Sequence, residues 1–361
     1  MACRSCLIDR RRFMRAAGIG FAATLSPRSL MALQRADAVY AAGFRAADGT
    51  YGIATVSEAG EIIDRSALPG RAHGMAFSSN TGKLVAFARR PGTFAMVSDI
   101  FGRTDPIIFC APETRHFYGH GTFSPDGRLL YASENDFDNN RGMIGIYDAS
   151  DCFTRIGEFE AQGIGTHDMA VSDDGRMLII ANGGIETHPD FGRTKLNLDQ
   201  MQPSLVLLDA YCGETIQKHP LPTSLHQLST RHVTVSNDGQ FWFACQWEGP
   251  RNALPPLVGY LRKGENIQFV SLPKDVTIGL ANYVGAIAVN RHDNLVGLTS
   301  PKGGTMVHLD ARVGTVVSST KIIEAAGIAA APRGFAYSSY DGRFNGPNSN
   351  VAWDQHIVRL D

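Results

Sequence analysis

Short apolar runs and glycine-bearing polar turns alternate along this chain, and one such unit recurs. A histidine leads into an alternating strand, a tight turn and an almost wholly apolar second strand. The unit reads HGMAFSSNTGKLVAFAR at 73–89, HGTFSPDGRLLYASE at 120–134, HDMAVSDDGRMLIIAN at 167–182 and HVTVSNDGQFWFACQ at 232–246. A degenerate copy without the histidine, GAIAVNRHDNLVGLTS, occupies 285–300. Phe77, Phe123, Val171, Val235 and Val289 hold the same place in each copy. Self-similarity at a period of roughly 50 residues marks a repeat architecture, and four short strands per period mark a propeller blade.

The turns carry Gly82, Gly127, Gly175 and Gly239, as tight hairpins require. Second strands such as LVAFA, MLIIA and FWFAC are apolar without alternation, which predicts burial on both faces. Blades packed face to face meet that condition. Residues 38–68 predict three strands without the histidine phrase, and the segment from about 325 predicts two or three more. Joining the two in one sheet would close a ring and hide both edges. The expectation is therefore an all-β fold, a single β-propeller of four-stranded blades spanning 38–361. The period allows six or seven blades, and seven is expected.

Composition removes some functions. The chain has 361 residues, 43% hydrophobic, with a formal net charge of −1, so no basic face for nucleic acid is expected. Basic residues concentrate at the N-terminus. Arg10-Arg11-Arg12-Phe13-Met14-Arg15 followed by a weakly apolar stretch and Ala36-Asp37-Ala38 reads as a twin-arginine export signal over residues 1–37. That predicts a periplasmic protein with no transmembrane segment once the signal is removed, because the apolar run is too short to span a bilayer. Cys3 and Cys6 would leave with the signal. Cys110, Cys152, Cys212 and Cys245 show no paired pattern.

Antiparallel pairing places the histidines and the loops after the second strands at one end of the cylinder. Those loops are long and polar, and long loops on a rigid repeat scaffold are where function concentrates. The candidate ligand-binding set at this channel mouth is His73, Arg89, Arg90, Arg115, His116, His120, Glu134, Asn135, His167, Asn182, Glu186, His188, Arg193, Arg231 and His232. Three readings stay open for the histidine ring: loop-to-strand ties within each blade, an anion or polar-ligand site, and a transition-metal site formed by His73, His120, His167 and His232. The cofactor is left open between none and a transition metal. No nucleophile elbow and no P-loop is present, and catalytic residues stay unassigned.

The phrases ARRPGTF at 88–94, RHFYGHGTFSPDGRLLYASEND at 115–136, ANGGIETHP at 181–189, KLNLDQMQPSL at 195–205, STRH at 229–232 and AWDQH at 352–356 together resemble the exported bacterial family termed domain of unknown function 1513. The resemblance implies a periplasmic propeller of the YVTN and quinoprotein-like type. It also implies a link to iron or metal acquisition and a periplasmic iron-uptake or haem-protein partner. Related propellers with hydrolase or oxidoreductase activity supply the rival expectation, a metal- or cofactor-assisted enzyme using Glu134, Asn135, Asn182, Glu186 and the histidines.

Overall fold

The computed structural model describes residue 35 and residues 37–360. The export signal expected over 1–37 therefore lies, apart from Arg35 and Asp37, outside the described residues. From Tyr40 onward the chain is strand after strand. Blade 1 pairs the N-terminal strands Tyr40–Ala46, Tyr51–Val56 and Ile62–Leu68 with the C-terminal strand Val351–Arg359, which lies innermost. Blades 2 to 6 follow in order, each a four-stranded antiparallel sheet. Their innermost strands are Ala72–Ser78, Arg115–Phe123, Thr166–Val171, Leu228–Val235 and Ala286–Asn290.

Six four-stranded blades thus stand in the ring. The seventh position holds a two-stranded sheet, Ala325–Ala330 paired with Phe335–Ser339. Its inner strand packs between those of blades 6 and 1. After Ser339 a short bridged turn leads straight back into the inner strand of blade 1. Seven inner strands line the axis, but one blade has no outer half.

The apolar second strands are buried as their composition requires. Leu84–Ala88, Leu178–Asn182 and Phe241–Gln246 are buried throughout. Their side chains fill the space between neighbouring blades, so that Ile179, Leu207, Phe243, Leu257 and Leu298 belong to one continuous cluster across blades 4 to 6. The four hairpin glycines all have φ near +70°, a conformation that costs other residues about 1–2 kcal/mol.

The inner strands of the five blades that carry a histidine on that strand share one irregularity. Strand register shifts at Ala72/Met75, Phe117/Gly121, Thr166/Asp168 and Thr230/His232, and at Ala42/Phe44 opposite Asp354–His356. Blade 6, whose repeat copy lacks the leading histidine, pairs its inner and second strands in unbroken register. Bulges re-aim side chains. Here they turn the histidines from the blade faces toward the axis.

Candidate functional site

Five imidazoles meet on the axis. His73, His120, His167 and His232 come from the repeat phrase, and His356 comes from the C-terminal strand of blade 1. His73, His167, His232 and His356 follow one another around a square with ring centres 5.4, 4.9, 4.8 and 4.9 Å apart. The His120 ring stands 4.8, 5.0, 5.3 and 4.7 Å from those four. It is the apex of a compact pyramid. Nitrogen atoms of His73, His120 and His356 lie within 4.8 Å of one another, as do those of His120, His167 and His232.

Glycines make this approach possible. A Cβ at Gly74 would lie 2.5 Å from His120 Nδ1, and one at Gly119 would lie 2.8 Å from His73. Gly119 also has φ +107°. The HG and GHG phrases are thus packing requirements of the cluster.

Burial holds these rings neutral. Desolvation pushes His73, His120, His167 and His356 well below the usual imidazole range. It brings His232 down to about 3, with help from the Arg231 charge. Asp168 sits beneath, its oxygens 3.4 Å from His120 Nδ1 and 3.5 Å from His232 Nδ1. Burial raises its own carboxyl. A carboxylate beside Nδ1 favours a proton there and leaves Nε2 as a free donor. His120 Nε2, His356 Nε2, His73 Nδ1 and both ring nitrogens of His232 are all buried without a hydrogen-bond partner. Neutral, convergent, unpartnered imidazole nitrogens are the donor set of a transition-metal ion.

Above the cluster opens a cavity of about 330 Å³. His73 and His167 form part of its floor, and Arg89, Arg90, Arg193, Lys195, Arg231 and Lys302 line its walls. Tyr118, Tyr283 and Tyr340 stand among them with Gln246, Gln355 and Pro301, and no aspartate or glutamate is among the lining residues. A larger open depression of about 830 Å³ beside Trp247 contains none of the histidines, so volume alone does not mark the site.

The structure divides the sequence-derived candidates. His73, His120, His167, His232, Arg89, Arg90, Arg193 and Arg231 are brought together at the axis and its cavity. Arg115 and Glu134 are not. They lie in a buried ion network within blade 3, where Glu134 accepts bonds from Arg115 (3.1 Å), Arg155 (3.0 Å) and Tyr147 (2.7 Å). His116 and Asn135 bond each other at 3.0 Å. Asn182 accepts from Thr166 Oγ1 and donates to Ala161 O, tying blade 4 to blade 3. Glu186 lines a separate depression. His188 caps a short 3-10 helix at Pro189–Phe191, in the long loop of blade 4. The physical reason is common to most of these: the strands of blades 3 and 4 run on to Asp136 and Asn182, so their last polar residues are ladder members of their own sheets. Four residues escaped the sequence reading. His356 was signalled only by the phrase AWDQH, Asp168 only by its place after His167, and Lys195 and Lys302 by nothing.

The sequence profile of the family described as Protein of unknown function (DUF1513) matches residues 66–360. A dihydro-heme d1 dehydrogenase of Pseudomonas aeruginosa is 37% identical over 71 residues, which is 20% of this chain and 13% of the length of that protein. Among solved structures, Kuenenia stuttgartiensis hydrazine synthase superimposes with TM-score 0.60 at 15% identity, covering 86% of this chain and 89% of that one. The β-propeller domain of Myceliophteria thermophila Cps50 (Swd1) superimposes with TM-score 0.59 at 13% identity, covering 89% and 94%. At such identities these structures speak for the fold alone.

Proposed function

The chain belongs to the DUF1513 family, and from that premise we propose that it is a metal-binding propeller that holds one transition-metal ion on its axis. The observation that carries this reading is the gathering of five imidazoles on the axis, four of them with a buried ring nitrogen that has no hydrogen-bond partner. With metal–nitrogen bonds of about 2.0–2.1 Å, imidazoles at right angles on one ion have ring centres about 4.5 Å apart. The square and its apex close to that spacing with shifts below about an ångström. A square of nitrogens with one apical donor suits Cu(II) or Ni(II) in particular. His73, His167, His232 and His356 would supply the square and His120 the apex. Asp168 would orient His120 and His232.

The protein would do this in the periplasm after twin-arginine export, in the handling or uptake of iron or another metal, with a haem or iron-uptake protein as partner. The relative named as a dihydro-heme d1 dehydrogenase lends weight to a haem- or metal-linked role. The enclosed volume favours a bare ion with a small co-ligand over a tetrapyrrole. Binding is favoured over metal-assisted hydrolysis because the cavity walls carry no carboxylate to act as a base, and Glu134, Asn135 and Asn182 are committed to bonds inside the blades.

Titration of metal-free protein with Cu(II), Ni(II), Zn(II), Fe(II) and haem tests the reading. One ion per chain is expected, with affinity lowered about a hundredfold or more in a His120→Gln, His232→Gln variant that keeps its circular dichroism. Absence of binding by all four ions, or equal affinity in the variant, would overturn it.

A further inference from the structure

The cavity over the imidazoles presents positive charge from four separate segments. Arg89 and Arg90 follow the second strand of blade 2. Arg193 and Lys195 descend from the long loop of blade 4. Arg231 stands on the bulge of blade 5, and Lys302 on a turn of blade 6. Lys195 is paired with Glu248, and Lys302 lies 5.1 Å from the centre of the Tyr283 ring. Arg231 donates to the neutral Gln246 at 2.7 Å. Arg89, Arg90 and Arg193 have no carboxylate partner among the described residues, and the Nε atoms of Arg89 and Arg231 are buried without a hydrogen bond. Burial, then mutual repulsion, lowers Arg90 and Arg193 to about 10. Uncompensated guanidinium groups in a half-enclosed space are costly unless an anion joins them, and their planar forks match carboxylate oxygens in pairs.

We propose that this cavity binds a small polycarboxylate, seated on Arg89, Arg90, Arg193 and Arg231 directly above the imidazole cluster. A single-centre anion would reach only part of a ring of charges drawn from four segments. A ligand with carboxylates at both ends reaches across it. The volume of about 330 Å³ is at the small end for ligand sites, which run roughly 300–1,000 Å³. Because His73 and His167 belong to the floor, one carboxylate of the bound anion would face the metal position. The ligand class is then a metal–polycarboxylate complex, a step that rests on the metal-binding reading; the anion site itself does not.

The test is calorimetry on metal-free full-length protein with citrate, succinate, acetate and inorganic phosphate at fixed ionic strength. Citrate is expected to bind one per chain, more tightly than succinate, with acetate weakest. An Arg90→Gln, Arg193→Gln variant should bind citrate about tenfold or more weakly and, relieved of repulsion, melt at a higher temperature without citrate. Equal citrate affinity in the variant, no citrate binding, or phosphate binding more tightly than citrate would each overturn the proposal. In metal-loaded protein, citrate and the ion should strengthen one another by the same factor, as linkage demands. Citrate binding by a protein that takes up no metal would sustain the anion site and remove the metal reading instead.

Discussion

Two kinds of buried histidine can be told apart here by their partners. His116 is fully served: Nδ1 donates to Phe117 O at 2.9 Å, and Nε2 accepts from Asn135 at 3.0 Å. Its task is to join strand to strand. Four of the axial imidazoles are likewise buried and the fifth, His356, is half-buried, yet four of the five have a buried nitrogen with no partner, and that difference marks a site. His116 makes a separate prediction about acid. Burial lowers it from 6.5 to about 4, so the folded state disfavours its protonation and the unfolded chain binds the proton first. Its contribution is complete above pH 6.5 and is lost as pH falls toward 4. Between those values, wild-type stability should fall relative to a His116→Gln variant by about 1.4 kcal/mol per pH unit, as urea unfolding at stepped pH would show. A difference independent of pH would mean that the ring is charged in the fold. Sequence could name both kinds of histidine and could not sort them, because the sorting lies in who their neighbours are. It also missed His356, whose strand comes last and is followed by no hairpin to complete the repeat phrase.

At the level of strands, the device is the bulge. An inner strand in regular register would point alternate side chains into the spaces between blades. Shifts at the histidines break that alternation and turn the imidazoles inward. The excursion of blade 3, Tyr118 to His120 opposite Ser133, carries Gly119 at φ +107°. Gly119→Ala should cost about 1–3 kcal/mol from backbone strain and lower metal affinity about tenfold or more by pushing on His73. Gly239→Ala is its control. That glycine also has positive φ, but a Cβ there meets nothing within 4 Å, so it should cost stability and leave metal binding alone. Paired melting and metal titrations decide, and equal loss of metal in both variants would show that strain rather than imidazole spacing governs the site. The repeat phrase and its turns were readable in the sequence, whereas a bulge adds no residue type of its own and stayed hidden.

Across the whole molecule, the propeller was legible because its period, its turns and its doubly buried strands all agree. Closure by N- and C-terminal strands was legible too, since 38–68 offers three strands and a blade needs four. What the sequence left open was the incomplete seventh sheet: the stretch from Ala325 to Ser339 supplies two strands before the chain must return to the axis. That return delivers His356, so ring closure and completion of the imidazole set are one event. A cluster built this way gathers ligands from both ends of the chain, blade 1 closing against blades 2 to 5. The most direct measurement is X-ray absorption at the metal edge of the full-length chain, loaded with Cu(II) or Ni(II) in citrate-free buffer. The predicted result is four or five imidazole nitrogens at about 2.0–2.1 Å, with loss of one imidazole in His356→Gln. A first shell dominated by oxygen, or one with only one or two imidazoles, would contradict an ion held on the propeller axis.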